Sequence, residues 1–229
     1  MAGLDEAGRG PLAGPLVAAA VVFPPFPSLP WLQGLRDSKA LTPARREALY
    51  PLITRAAAWA LGLARPEEVD RLGPLGAARL AFLRALQGLP RTPQHLLIDA
   101  VPLPQAGLPF KAIVKGDALC ASIAAASVIA KVARDRLMAD LDQQYPGYGF
   151  ARHKGYGTPA HLQALHLLGP CPLHRLSFRP LRDLSGANTP SPQWGEGVRG
   201  SGAQYKSSPS PSGRGGQGVR DRRPEHMRD

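Results

Sequence analysis

Asp5-Glu6-Ala7-Gly8-Arg9-Gly10-Pro11-Leu12-Ala13-Gly14-Pro15-Leu16-Val17-Ala18-Ala19-Ala20-Val21 decides how the rest of the chain is read. Two adjacent carboxylates lead into a Gly-Arg-Gly turn and then into a short apolar run. That run, Leu16 to Phe23, stops at Pro24-Pro25, which fits a buried strand. A first strand is expected to end near Asp5. Only four residues precede that aspartate, so either the strand begins at the chain terminus or the true start lies upstream. Neighbouring side chains on a strand point to opposite faces. Asp5 and Glu6 can therefore approach one ion only where the strand ends, and Gly8 and Gly10 allow such a turn. Two hard carboxylates suit Mg²⁺ or Mn²⁺, which take oxygen ligands. In isolation the pair reads more simply as a solvated strand end.

Outward from this stretch, apolar runs alternate with helical patterns. Thr42 can cap a helix over Pro43 to Leu61, with Pro43 at its first position. Ala56 to Ala64 reads as a strand. Glu67 to Leu86 reads as helical segments interrupted at Gly73-Pro74. His95 to Asp99 and Lys111 to Lys115 read as short strands. The clearest helix carries Ile123, Ala126, Ala130, Ala133, Leu137 and Leu141 on one face, with Ser122 as its N-cap and Pro146-Gly147 as its stop. His161 to Leu168 is a further short helix. Strands alternating with helices indicate an α/β domain. Asp5, Asp99 and Asp117 fall at or just after strand ends, where sites collect in open α/β sheets.

The chain has 229 residues and a formal charge of +11. Residues 186–229 hold seven Lys or Arg against four Asp or Glu, so most of the basic excess belongs to residues 1–185. A basic folded part favours a polyanion partner, nucleic acid first. Cys120 and Cys171 lack metal-site spacing and read as reduced structural residues of a cytoplasmic protein. No signal peptide or membrane span is visible. Two regions are expected: residues 1–183 as the folded domain and 184–229 as a disordered tail rich in Gly, Ser, Pro and Arg. Within the tail, Gly-Glu-Gly-Val-Arg-Gly and Gly-Gln-Gly-Val-Arg-Asp echo one another, as a translated repeat would.

Several ordered motifs together resemble the ribonuclease HII family. They are the opening Asp5-to-Val21 string, Asp37-Ser38-Lys39, Leu97-Ile98-Asp99 and Lys115-Gly116-Asp117. Ser122 through Lys131 to Asp135, Tyr148 through Tyr156 to Thr158, His161, and His174-Arg175-Leu-Ser-Phe178 complete the set. The resemblance covers residues 2 to about 180. It implies an RNase H-like fold, with a central mixed sheet flanked by helices and a small helical C-terminal part. It further implies four site acids, Asp5, Glu6, Asp99 and Asp117, holding two Mg²⁺ or Mn²⁺ ions. Asp135 competes for the fourth place, but an ion pair or a solvated face explains it as well. By resemblance, Gly8-Arg9-Gly10 reads a ribose 2′-OH and Tyr156 stacks on the next sugar. Read alone, these are a turn and a core or rim aromatic. Ser38 and Lys39 are expected phosphate contacts, with His161, Arg152 and Lys154 behind them. His174 and Arg175 are expected to be structural or rim residues, and Lys131 to be a solvated helix residue.

The implied activity is metal-dependent hydrolysis of the RNA strand of RNA/DNA hybrids, with incision 5′ of single ribonucleotides in duplex DNA. A monomer is expected, and a sliding clamp is a conceivable partner although the tail holds no clear clamp motif. Ribonuclease HIII is a rival, for which an N-terminal substrate-binding domain would be expected ahead of Met1. A non-catalytic hybrid-binding protein or an inactive relic is another. Two departures from the family pattern stand out. Ala100 replaces the usual Gly after the second acid, which matters only if that residue needs a positive φ. The usual Asn is missing from Glu68-Val-Asp70-Arg-Leu-Gly73-Pro74.

Overall fold

A computed structural model describes residues 1–25, 29–35 and 41–184. Its strands are β1 (Ala2–Ala7), β2 (Leu16–Val22), β3 (Ala58–Ala64), β4 (Leu96–Asp99) and β5 (Phe110–Ile113). Its helices are α1 (Pro43–Ala56), α2 (Pro66–Gln87), α3 (Gly116–Leu119), α4 (Ala121–Gln144), α5 (Phe150–His153), α6 (Pro159–Leu168) and α7 (Leu181–Leu184). The strands form one mixed sheet in the order β3-β2-β1-β4-β5. β1 pairs antiparallel with β2 and parallel with β4, so it sits in the middle.

Period-two alternation on β2 sorts the core into two layers. Leu16, Ala18 and Ala20 face α2, where they pack with Ala77, Ala78, Ala81 and Phe82. Ala19 and Val21 face the other way, against α4 and α1. The expected α/β class and mixed sheet are both present. A third cluster gathers the end of α4, α5 and the Cys171–Leu173 segment into the small C-terminal part.

Several boundaries differ from the sequence expectation. α1 stops at Ala56 rather than Leu61, because Ala57 turns extended and β3 pairs with β2 from Ala58 onward. A complete ladder from Leu16 to Val22 outweighs the helix propensity of an alanine-rich run. Ser122 is not the cap of α4. The short α3 runs almost directly into that helix, and Cys120 takes the N-cap place without a side-chain bond. On α4 the arc Ile123–Ala130 is buried all round, since small side chains let β1, β2 and α1 close in, whereas Ala133 and Leu137 stay partly exposed. The expected break in α2 is present at Gly73, with φ 70° and ψ 167°, where the family's usual Asn is absent nearby. Among the described residues no helix is long and apolar enough to cross a membrane. The expected disordered tail lies outside the described residues from Ser185 onward.

Candidate functional site

β1 and β4 run parallel with Leu4 opposite Ile98, which puts Asp5 and Asp99 side by side at the same end of the sheet. Both are buried. Asp5 Oδ1 accepts the Glu6 amide at 2.7 Å, while its Oδ2 is buried with no hydrogen bond. Burial pushes the Asp5 carboxyl up to about 8; negative Glu6 and Asp99 add to this, and the nearby Ser127 hydroxyl and the Glu6 amide oppose it. Asp99 Oδ1 accepts the Gly116 amide at 2.8 Å. That bond fastens the start of α3 to the end of β4, and Asp117 follows immediately, also buried. The Glu6 side chain is almost fully covered and pairs with Arg9 at 2.8 Å. The four expected acids thus gather at one end of the sheet. Among the described residues no group of three or more His, Cys, Asp or Glu stands ready-made to hold an ion. The donor set nevertheless suits a hard cation. It is all carboxylate oxygen and buried, with Glu6 and Asp99 repelling Asp5 and an Asp5 oxygen that makes no hydrogen bond. Asp135 forms an i,i+4 pair with Lys131 at 2.8 Å, the structural role that competed with a fourth-acid role for it.

Next to the acids, Glu6, Ala7, Gly8, Arg9, Gly10, Arg46, Ser127, Lys131 and Tyr156 line a cleft of about 310 Å³. Gly8 has φ 99°, and a methyl there would lie 2.1 Å from Arg134 Nε. The fold therefore requires glycine at position 8. Gly10 is different: it is exposed, and an added methyl would meet nothing within 4 Å. Tyr156 is 47% exposed at the rim. Two fully buried arginines lie beneath this loop. Arg175 donates to Gly8 O, Arg9 O and Gly14 O. Arg134 donates to Pro15 O, Ala13 O and Lys154 O. Burial lowers Arg175 to about 9 and Arg134 to about 10, so both still carry their proton at neutral pH.

The ribonuclease HII family model matches residues 2–180. The chain belongs to the ribonuclease HII family. Ribonuclease HII of Myxococcus xanthus (strain DK1622) is 54% identical over 194 residues, covering 84% of this chain and 65% of that protein. The chain therefore spans just under two thirds of that relative's length. Among solved structures, the ribonuclease H2 from Pyrococcus horikoshii OT3 aligns with a TM-score of 0.70 at 32% identity, covering 81% of this chain and 96% of that one. The Archaeoglobus fulgidus RNase HII in its complex with PCNA aligns at 0.66 and 28%, covering 78% and 94%.

In this ribonuclease HII family member the expected phosphate contacts fare unevenly. His161 is a correction: it is wholly buried, and its ring nitrogens bond Tyr156 O at 2.9 Å and His174 Nε2 at 3.1 Å. It supports the Tyr156 loop from beneath and does not face a duplex. Ser38 and Lys39 lie outside the described residues. Arg152 is exposed, while Lys154 Nζ donates to Ala151 O and Asp135 O. His174 and Arg175 are buried, which fits the structural alternative and not the rim. Lys131 is more than a solvated helix residue, since it lines the cleft. Sequence reasoning missed Arg46 and Ser127. A hydroxyl inside the apolar run Ile123 to Ala130 was a usable signal for Ser127; Arg46 left none, because a charged helix residue reads as exposed.

Proposed function

We propose that this protein is an endoribonuclease that cuts the RNA strand of RNA/DNA hybrids and incises duplex DNA 5′ of a single ribonucleotide. The products are a 5′-phosphate and a 3′-hydroxyl. The observation that carries this reading is the placing of buried Asp5 and Asp99 on adjacent parallel strands, directly beside the cleft containing Gly8–Gly10. Identity of 54% to a named ribonuclease HII favours this type over ribonuclease HIII.

Asp5, Glu6, Asp99 and Asp117 are the residues that would hold two divalent ions, Mg²⁺ or Mn²⁺. Such ions lower the pKa of a bound water and offset charge on the leaving 3′ oxygen. The chain's own groups bind and orient. Backbone groups of the Gly8–Gly10 turn approach the ribose, whose 2′-OH both donates and accepts. Open space over Gly10 leaves room for that approach. Tyr156 offers an exposed ring to the neighbouring sugar. Arg46 and Lys131 line the same cleft as cations able to position a phosphate without reading sequence. Ser38 and Lys39 are proposed as further phosphate contacts. The net positive charge of residues 1–185 favours a polyanionic duplex. We place the protein in the cytoplasm as a monomer with residues 1–183 as its catalytic domain. The archaeal relative in complex with PCNA makes a sliding clamp the partner class to test.

The test is cleavage of a duplex carrying one ribonucleotide, with Mg²⁺, Mn²⁺ or EDTA, comparing the intact chain with Asp99→Asn. Metal-dependent incision 5′ of the ribonucleotide, lowered by on the order of 1,000-fold or more in the variant, is expected. Folded protein that binds the duplex but cuts with no metal would leave a hybrid-binding module in place of the enzyme.

A further inference from the structure

We propose that Arg175 and Arg134 are positioning residues: Arg175 aims the Arg9 and Gly10 amides into the cleft, and Arg134 fixes the distance from that turn to Tyr156. This rests on the reading of the cleft as the place where a ribose is tested.

Arg175 spends its whole fork on one loop. Nη2 donates to Gly8 O at 2.7 Å and Gly14 O at 2.8 Å, Nη1 to Arg9 O at 3.0 Å, and Nε to Gly14 O at 3.1 Å. Its own amide donates to Leu12 O. A trans peptide is planar, with its C=O and the following N–H pointing in opposite directions. Holding Gly8 O and Arg9 O toward the buried guanidinium therefore turns the Arg9 and Gly10 N–H groups away from it. Residues 8 to 10 line the cleft, so that is where donors are useful to an oxygen-rich ligand.

Arg134 links this loop to the next. Nε donates to Pro15 O at 3.0 Å and Nη2 to Ala13 O at 3.2 Å, while Nη1 reaches Lys154 O at 3.0 Å. Leu12 N and Ala13 N both donate to Gly155 O, completing the seam. The contact is so close that a methyl on Gly155, which has φ 82°, would lie 2.3 Å from Ala13 O. His161 holds Tyr156 O from the other side.

Stability alone accounts poorly for two such cations. Among the described residues neither arginine makes an ion pair, although both are fully buried. Asp70 and Asp135 act on them only from a distance; burying a charge without a direct ion pair is costly, and apolar side chains of like volume would fill the space at less cost. A rigid planar fork holds carbonyls spread along a loop in fixed directions, which the single, freely rotating ammonium of a lysine does not.

Arg175→Lys keeps the charge and removes the fork. Steady-state cleavage of a duplex with one ribonucleotide should show kcat down by about 100-fold, since a shift of about 1 Å has that effect. KM should stay within about threefold, because phosphate contacts elsewhere hold the duplex. Hydrogen exchange should quicken at the Leu12 and Gly14 amides with the sheet amides unchanged. An unaltered kcat, or a change confined to KM, overturns the proposal. Should Arg175→Lys not fold, Arg134→Lys leaves the grip on Gly8 and Arg9 intact and frees Lys154 O. About a tenfold loss in kcat is then expected, and none overturns the proposal. If the unaltered protein cuts nothing, the nuclease reading fails by itself. The exchange rates at Leu12 and Gly14 still decide whether the arginine anchors the loop.

Discussion

Asp5 lies buried beside Glu6 and Asp99 with one oxygen lacking any hydrogen bond. Arg175, equally buried, gives four hydrogen bonds to three carbonyls and stacks 5.3 Å over Phe178. The two regions are neighbours, joined by the Gly8–Pro15 loop, yet they handle charge in opposite ways. At the end of the sheet carboxyl groups crowd together, and burial with Glu6 and Asp99 nearby raises Asp5. Under the loop, each cation is surrounded by oxygen and remains charged. The acidic end keeps a buried carboxyl oxygen without a donor, whereas the carbonyls of the loop are bonded to buried guanidinium groups. Preorganisation of this kind places donors before a ligand comes, so none of the binding free energy is consumed in ordering them.

Three measurements bear on this contrast. The largest effect is expected from Gly10→Ala. Its methyl meets no protein atom, so the melting temperature should hold within about 0.5 kcal/mol of stability. Incision at a ribonucleotide should nevertheless fall by about 100-fold as the methyl intrudes on the ligand. Undiminished cleavage would show that the loop does not face the substrate.

The second is the urea stability of the metal-free protein across pH. Burial, with His161 and His153 close by, pushes His174 down to about 3 from an ordinary 6.5. Its contribution is complete above pH 6.5 and is lost as pH falls toward 3, by up to about 1.4 kcal/mol per pH unit. Asp5 works in the other direction. Its carboxyl is raised from 3.8 to about 8, so its contribution is present below 3.8 and lost as pH rises through 8. Mg²⁺ should lift the alkaline limb and leave the acid limb alone. An equal effect of Mg²⁺ on both limbs, or on neither, contradicts the difference drawn between the two regions.

The smallest effect is expected at Ala100. It follows Asp99 with φ 54°, the left-handed region that an alanine adopts at a cost. Ala100→Gly should therefore add about 1 kcal/mol, read as a higher denaturation midpoint. No gain means that the acidic end carries no backbone strain.

That Asp5, Glu6, Asp99 and Asp117 fall at one end of the sheet was legible because each sits in a run of several distinctive residues at a strand end or helix start. Packing consequences were less so. Arg134 falls on the buried stripe of α4, in step with Ile123, Ser127, Ala130, Met138 and Leu141, and that spacing could have marked it as interior. His161 looks like an ordinary polar residue near a helix start. Its bonds to Tyr156 O and to His174, thirteen positions away, and its stacking on His153 explain its burial. The limits of α1 and β3 turn on three alanines, 56 to 58, whose side chains favour neither outcome strongly; the β2 ladder decides.

The central position of β1 also shapes how the chain must be made. Its partner β2 follows within ten residues, but its other neighbour β4 starts roughly 90 residues later. At about 5–20 residues per second, a nascent chain waits on the order of 5–20 s with one edge of its future middle strand open. Ala2 N already donates to His95 O, so anything fused ahead of Met1 emerges directly from that seam. A tag at this end is therefore expected to slow acquisition of the native sheet more than one placed after Asp229.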